Sequence, residues 1–284
     1  MVIDFRIRPP FKSIARMRHF KPQTILPRQD LLQEPLIGYD RKYMPSADRK
    51  DMDCFMHEMD EANIRVGVIM GRVNDHDPTS KHDNKDLLEL TELYPGRFIP
   101  LASFDPTGKN AVAEAEKALN EGFAGLSFDL GFVSMHPDDA MMLPFYELCH
   151  QKECLVALAA SAFIGPDLSY CDLTPLGPVA KKFPRAVFYI PHAGWPHIAQ
   201  AIGVAASCPN VYLAPDLYMT IPHIPYARDL VDAANSVLMS KIVFASSYPM
   251  RGLKQSVDEW AALPLSEHAR MYTMYYNGAR LLKL

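Results

Sequence analysis

The 284-residue chain lacks several features that would mark specialised classes of protein. It has no uninterrupted apolar run near the roughly 20 residues that a membrane helix needs, which argues against a membrane protein. The opening Met1-Val2-Ile3-Asp4-Phe5-Arg6 puts charge where a signal peptide carries an apolar core. There is no excess of basic charge either: 29 Lys and Arg against 33 Asp and Glu leave a formal net charge of -4. Without a Lys/Arg run, a nucleic-acid-binding surface is not expected. Cysteine is sparse, with five residues (Cys54, Cys149, Cys154, Cys171, Cys208), an odd number without a C-x2-C pair. That pattern fits neither a disulfide framework nor a zinc knuckle and points to reduced thiols in a cytoplasmic protein. No glycine-rich dinucleotide fingerprint follows the first apolar segment.

What is present is an ordinary globular composition, 49% hydrophobic and 22% charged, arranged as alternating short apolar runs and helical stretches. Strands are predicted at Val2–Ile7, Val66–Met70, Phe98–Leu101, Gly125–Phe128, Leu155–Leu158, Ala186–Ile190, Val211–Ala214 and Lys241–Ala245. Helical spacing lies between them, as in Ala111–Asn120, Pro144–Gln151 and a stripe formed by Met52, Phe55, Met56 and Met59. Eight βα units in one chain of this length predict a single α/β domain over residues 1–284, a (β/α)8 TIM barrel. A long insertion after the first strand, Phe11 to Arg49, interrupts the rhythm. Its apolar patch at Leu31–Ile37 suggests a lid or a contact in a homo-oligomer.

In such a barrel, chemistry gathers where strands end. Strict alternation along the first strand would put Asp4, Arg6 and Arg8 on the inner face and Ile3, Phe5 and Ile7 against the helices. Two inward guanidiniums need carboxylates. Either Asp4, Asp129 or Asp216 supplies them, or Arg6 and Arg8 form a clamp for a small anionic substrate. His192 directly follows the sixth apolar run and is placed to act as general acid or base, or as a metal ligand. Asp216 ends the seventh strand and Asp129 the fourth, while Ser247 and Tyr248 follow the eighth. His223 is held in reserve. His19, His57, His76, His82, His136, His150 and His268 lack paired metal spacing and read as surface or packing residues.

These segments resemble the amidohydrolase-related family of metal-dependent hydrolases, which includes hydrolases and aromatic-acid decarboxylases. The likeness runs through Ile3-Asp4-Phe5, Tyr94-Pro95-Gly96-Arg97-Phe98 and Phe145-Tyr146-Glu147-Leu148-Cys149. It continues through His192-Ala193-Gly194, Asn210-Val211-Tyr212-Leu213, Phe244-Ala245-Ser246-Ser247-Tyr248-Pro249 and Asn277-Gly278-Ala279-Arg280-Leu281-Leu282. The resemblance implies a divalent metal on a His-x-His pair, two further histidines and an aspartate. Here Arg6 and Arg8 stand at the pair, Ala159 at the fifth-strand histidine and Ser247 at the aspartate; only His192 matches. Arginine cannot coordinate a cation, so no metal and no cofactor are expected.

The function that follows is metal-independent hydrolysis of a lactone- or ester-type C–O bond, or a C–N bond, in a small carboxylate-bearing substrate. His192 and Asp216 would be catalytic; Arg6, Arg8, Ser247, Tyr248 and Asp129 would bind substrate. Non-oxidative decarboxylation and a catalytically inactive anion-binding barrel are the alternatives.

Overall fold

The computed structural model describes residues 1–17, 20, 43–73 and 82–284. Most of the predicted insertion, including the Leu31–Ile37 patch, lies outside the described residues, as do His19 and His76. Seven parallel strands follow in sequence order around one curled sheet: β1 (Val2–Ile7), β2 (Ile64–Met70), β3 (Phe98–Ser103), β4 (Gly125–Asp129), β5 (Leu155–Ala159), β6 (Val187–Pro191) and β7 (Val211–Ala214). Helices lie between and after them: α1 (Pro45–Arg49), α2 (Met52–Glu61), α3 (Asn84–Leu93), α4 (Ala111–Asn120), α5 (Leu143–Lys152), α6 (Leu176–Lys182), α7 (Ile198–Ser207), α8 (Ala227–Ala234), α9 (Leu253–Ala261), α10 (Glu267–Met271) and α11 (Asn277–Leu282). This is the architecture of a (β/α) TIM barrel. No helix among the described residues is long and apolar enough to cross a membrane.

The eighth predicted strand, Lys241–Ala245, is not a ladder strand. Its segment instead bridges the two ends of the sheet. On one side Leu213 N–H donates to Lys241 O at 2.9 Å and Val243 N–H to Leu213 O at 2.9 Å. On the other, Phe5 N–H donates to Phe244 O at 2.9 Å and Arg8 N–H to Tyr248 O at 3.1 Å. The sheet therefore closes through a seam of few bonds, too irregular to form a strand but sufficient to join β7 to β1.

Two apolar layers follow from the strand pleat. Inside the barrel, Ile3 and Phe5 pack with Val68, Leu101, Ala157 and Tyr189, and Phe5 meets the Tyr189 ring edge-on at 5.4 Å. Outside, Phe128, Phe188 and Phe244 pack under α5 and α9, against Phe145, Tyr146 and Trp260. Ile3 and Phe5 thus face inward, contrary to the alternation expected for β1. The reason is a register shift: Asp4 pairs with Gly67 but Ile7 with Ile69, so three residue steps on β1 span two on β2. One extra residue reverses the parity of the strand. Phe5 lines the interior below, Ile7 faces the helices, and the arginines still reach the mouth.

Candidate active site

Three site residues sit where strands give way to loops, and all three have left-handed backbones: His192 (φ 68°), Asp216 (φ 57°) and Ser247 (φ 59°). This region costs a non-glycine residue on the order of 1–2 kcal/mol. The cost turns each side chain sharply out of its strand direction, over the open end of the barrel.

There they meet Arg6. Its Nη1 donates to Asp216 Oδ2 at 2.9 Å and to Ser247 Oγ at 3.2 Å, and lies 2.5 Å from His192 Nε2. Ser247 Oγ–H donates to the same Asp216 oxygen at 2.6 Å, and His192 Nδ1 lies 3.0 Å from it. The tautomer is set by these neighbours: Nε2 accepts from the guanidinium, so the ring hydrogen is on Nδ1 and points to Asp216. Burial, with Arg6 second, pushes His192 down to about 4, which keeps the imidazole neutral at pH 7. Burial pulls Asp216 upward, but His192, Arg6 and Ser247 together hold it below the usual carboxylate value. Asp216 is therefore the ionised member of the group.

Asp129, at the end of β4, forms a second carboxylate centre. Its partner is Arg72, whose Nε and Nη2 donate to Asp129 Oδ2 and Oδ1 at 2.8 and 3.3 Å. Arg6 Nη2 lies 3.9 Å away. Burial opposes ionisation of Asp129, yet Arg72, Arg8 and Arg6 together hold its carboxyl below its ordinary value. Arg72 was not singled out in the sequence. Its only local signal is its place two residues beyond β2, while its partner lies 57 residues away. Its guanidinium also covers the Phe132 ring at 4.6 Å. His82, expected as surface or packing, is buried behind it and accepts from Arg72 N–H at 2.8 Å.

Arg8 differs from the other two arginines. It is only 2% exposed, yet its guanidinium forms no hydrogen bond or ion pair with a described residue, and Nε is without a partner. Burial lowers its proton affinity well below normal and the charges of Arg6 and Arg72 add to this, while those of Asp129 and Asp216 oppose it. Three guanidiniums thus share a region with two ionised carboxylates. Of the ten buried side-chain atoms lacking partners among the described residues, four belong here: Asp4 Oδ2, Arg6 Nε, Arg8 Nε and Asp216 Oδ1. Such atoms are rare in folded proteins and concentrate where a ligand is missing.

A flat apolar wall borders the cluster. Phe163, Trp195 and Tyr218 come from the loops after β5, β6 and β7, with ring planes within 11° of parallel and neighbouring centroids 5.2–6.4 Å apart. Tyr218 stands edge-on to His192 at 5.3 Å and its hydroxyl shares a 2.6 Å hydrogen bond with Ser161. The structure therefore brings Arg6, Arg8, Asp129, His192, Asp216 and Ser247 together. It does not place Tyr248 with them: that ring packs on Phe55 at 4.9 Å, and its hydroxyl bonds Ser46 at 2.6 Å on the outer side. His223 is exposed, whereas the members of the cluster are buried. Among the described residues, no group of three or more His, Cys, Asp or Glu side chains is arranged to hold a metal ion.

The amidohydrolase family model matches residues 17–284. The solved structure of an uncharacterised TIM-barrel protein from Bordetella bronchiseptica superposes with a TM-score of 0.88 at 30% identity, covering 99% of this chain and 98% of that one. The 5-carboxyvanillate decarboxylase LigW from Sphingomonas paucimobilis gives 0.67 at 14% identity, over 100% and 99% of the two chains. A dihydroxybenzoic acid decarboxylase from Polaromonas, solved with manganese and the inhibitor 2-nitroresorcinol, gives 0.60 at 18%, over 82% and 86%. The two decarboxylases share the fold at these identities. No curated protein sequence matches the chain.

Proposed function

The chain belongs to the amidohydrolase family, and on that premise we propose that it is a metal-independent hydrolase opening a lactone- or ester-type C–O bond in a small carboxylate-bearing substrate. The observation that carries this reading is the buried Arg8, whose guanidinium has no direct hydrogen bond or ion pair among the described residues and whose Nε is buried without a partner. Asp129 and Asp216 only partly offset its charge from a distance; a buried guanidinium with no direct hydrogen bond is costly, and a substrate carboxylate would remove that cost. The fork of an arginine suits a carboxylate's two oxygens.

The family's divalent metal does not fit this donor set. Arg6 Nη1 already engages His192 Nε2 and Asp216 Oδ2, the lone pairs a cation would use. Ala159 offers no donor, and a guanidinium repels a cation. What the metal supplies elsewhere, positive charge beside the reacting carbonyl, falls here to Arg6.

Each remaining role has an unoccupied atom. Arg6 Nε, a free donor, is suited to the oxygen on which negative charge develops. Asp216 Oδ1, a free acceptor on an ionised carboxylate, takes a proton from water as that water attacks the carbonyl carbon. The C–O bond then breaks, and the leaving oxygen receives the proton from Asp216, so one water is added overall. His192, neutral and bonded at both ring nitrogens, orients Arg6 and Asp216 rather than carrying the proton.

A second reading, decarboxylation of an aromatic acid, is favoured by the wall of Phe163, Trp195 and Tyr218, which suits a planar ring. That reaction must deliver a proton to a ring carbon. Ionised Asp216 and neutral His192 are poor donors, which ranks it second.

The test is a panel of lactone carboxylates and hydroxybenzoates, incubated in ¹⁸O-water with protein dialysed against a chelator. Mass spectrometry should find one ¹⁸O in the opened product. Turnover only after divalent metal is restored would defeat the proposal, and release of CO2 would select the second reading.

A further inference from the structure

We propose that Asp4 is a positioning residue: its carboxylate replaces the main-chain bonds missing at the barrel seam and thereby fixes Arg6 and Ser247. The extra residue in β1 displaces the Arg6 amide from the ladder, and across the seam the Ser246 amide has no carbonyl opposite it. One oxygen, Asp4 Oδ1, accepts from both, Arg6 N–H at 2.9 Å and Ser246 N–H at 3.0 Å. A buried amide left unpaired is costly, so the carboxylate is what permits the irregular register to persist.

Both amides belong to the site. One is that of Arg6 itself, whose guanidinium gathers His192, Asp216 and Ser247. The other precedes Ser247, and Ser246 Oγ additionally accepts from Tyr248 N–H at 3.1 Å, so the whole turn is pinned. Asp4 touches none of the atoms proposed to react; its direct bonds run to the Arg6 and Ser246 amides. Its carboxyl is fully buried, and burial raises it to about 7, with the two amides and Ser246 opposing the rise and Asp216 adding to it. A side chain kept at such a cost, with Oδ2 lacking a hydrogen-bond partner among the described residues, supplies an acceptor that an apolar residue could not.

The inference does not depend on which reaction the site performs, so its test uses no substrate. Amide hydrogen exchange, resolved at Arg6 and Ser246, should show both protected in the native chain. In Asp4→Ala both should exchange about tenfold faster or more, the equivalent of losing one hydrogen bond, while Val243 on the other side of the seam is unchanged. The ¹⁵N–¹H signal of the Arg6 guanidinium should move in the same variant. Asp4→Asn, which keeps an acceptor oxygen, should restore protection and signal. Free exchange of the two amides in the native chain would overturn the proposal without recourse to a variant that fails to fold. So would an Arg6 signal indifferent to Asp4→Ala.

Discussion

Arg6 Nη1 and His192 Nε2 are 2.5 Å apart, a contact that requires the imidazole to be neutral, because a protonated ring has no lone pair there to accept. Replacing the guanidinium should release the ring. In Arg6→Met, the His192 titration should rise from about 4 towards the ordinary histidine range, seen in imidazole NMR shifts against pH. Asp216 would also lose its buried cation, so urea unfolding should show a loss of about 3–5 kcal/mol. A titration that stays put would mean that burial alone depresses it.

Arg8 should behave oppositely. Arg8→Met removes a buried guanidinium that makes no direct hydrogen bond or ion pair among the described residues, at little loss of volume. The variant should be more stable by about 1–4 kcal/mol, with a higher melting temperature. Added small carboxylates, which should stabilise the native protein by binding, should lose that effect. A melting temperature that falls by several degrees would place Arg8 among the structural ion pairs instead.

Among the groups that make stability depend on pH, His192 and Asp4 contribute in opposite senses. His192 is depressed from 6.5 to about 4, so the stability it allows is present above pH 6.5 and is lost as pH falls through 4. Asp4 is raised from 3.8 to about 7, so its contribution is full below 3.8 and is lost as pH rises through 7. In the native protein the two slopes oppose each other between pH 4 and 6.5. Separating them should expose each by a few kcal/mol. Asp4→Asn should lose stability on acidification across this window, and His192→Asn should gain it. Denaturation midpoints at half-unit pH steps would show whether the slopes diverge in this sense.

Ser247 combines a favourable bond with an unfavourable backbone. Ser247→Ala deletes the 2.6 Å bond to Asp216 but keeps a φ of 59°, whereas Ser247→Gly deletes the bond and relaxes the backbone. Glycine should therefore be the more stable variant by about 1 kcal/mol, reversing its usual rank below alanine. Equal urea midpoints would argue that the turn carries no strain.

The barrel was legible because apolar runs and helical stretches alternate, and that pattern does not depend on distant contacts. Val2–Ile7 and Val211–Ala214 have the bounds the sequence predicts. The eighth strand failed because Lys241–Ala245 has the apolar character of a strand, but its neighbours on either side are offset from each other. The inward arginines were expected from alternation, and they do reach the mouth, but by a different route. Nothing local marks the extra residue between Asp4 and Ile7, which shows only in the pairing with Gly67 and Ile69. Arg72, and the role of Asp4 as acceptor for two main-chain amides rather than partner of a guanidinium, have no local signal for the same reason: their partners are brought to them by closure. Tyr248 lies one residue beyond Ser247, and a single step is enough to point its ring to the opposite side.

The bond between Asp4 and Ser246 also bears on how this protein folds. It joins positions 242 residues apart, and Gly278, at the start of α11, lies so close to Phe5 that an added Cβ would come within 2.9 Å of its ring. Contacts of such long range carry the largest closure entropy and form late. During synthesis β1 therefore leaves the ribosome well before the segments that complete its surroundings. Until they arrive, Ile3, Phe5 and both arginines lack their final neighbours, which makes the nascent first strand a natural client for chaperones. The arrangement of Arg6, His192, Asp216 and Ser247 should be the last property acquired, appearing together with the closed barrel and not before it.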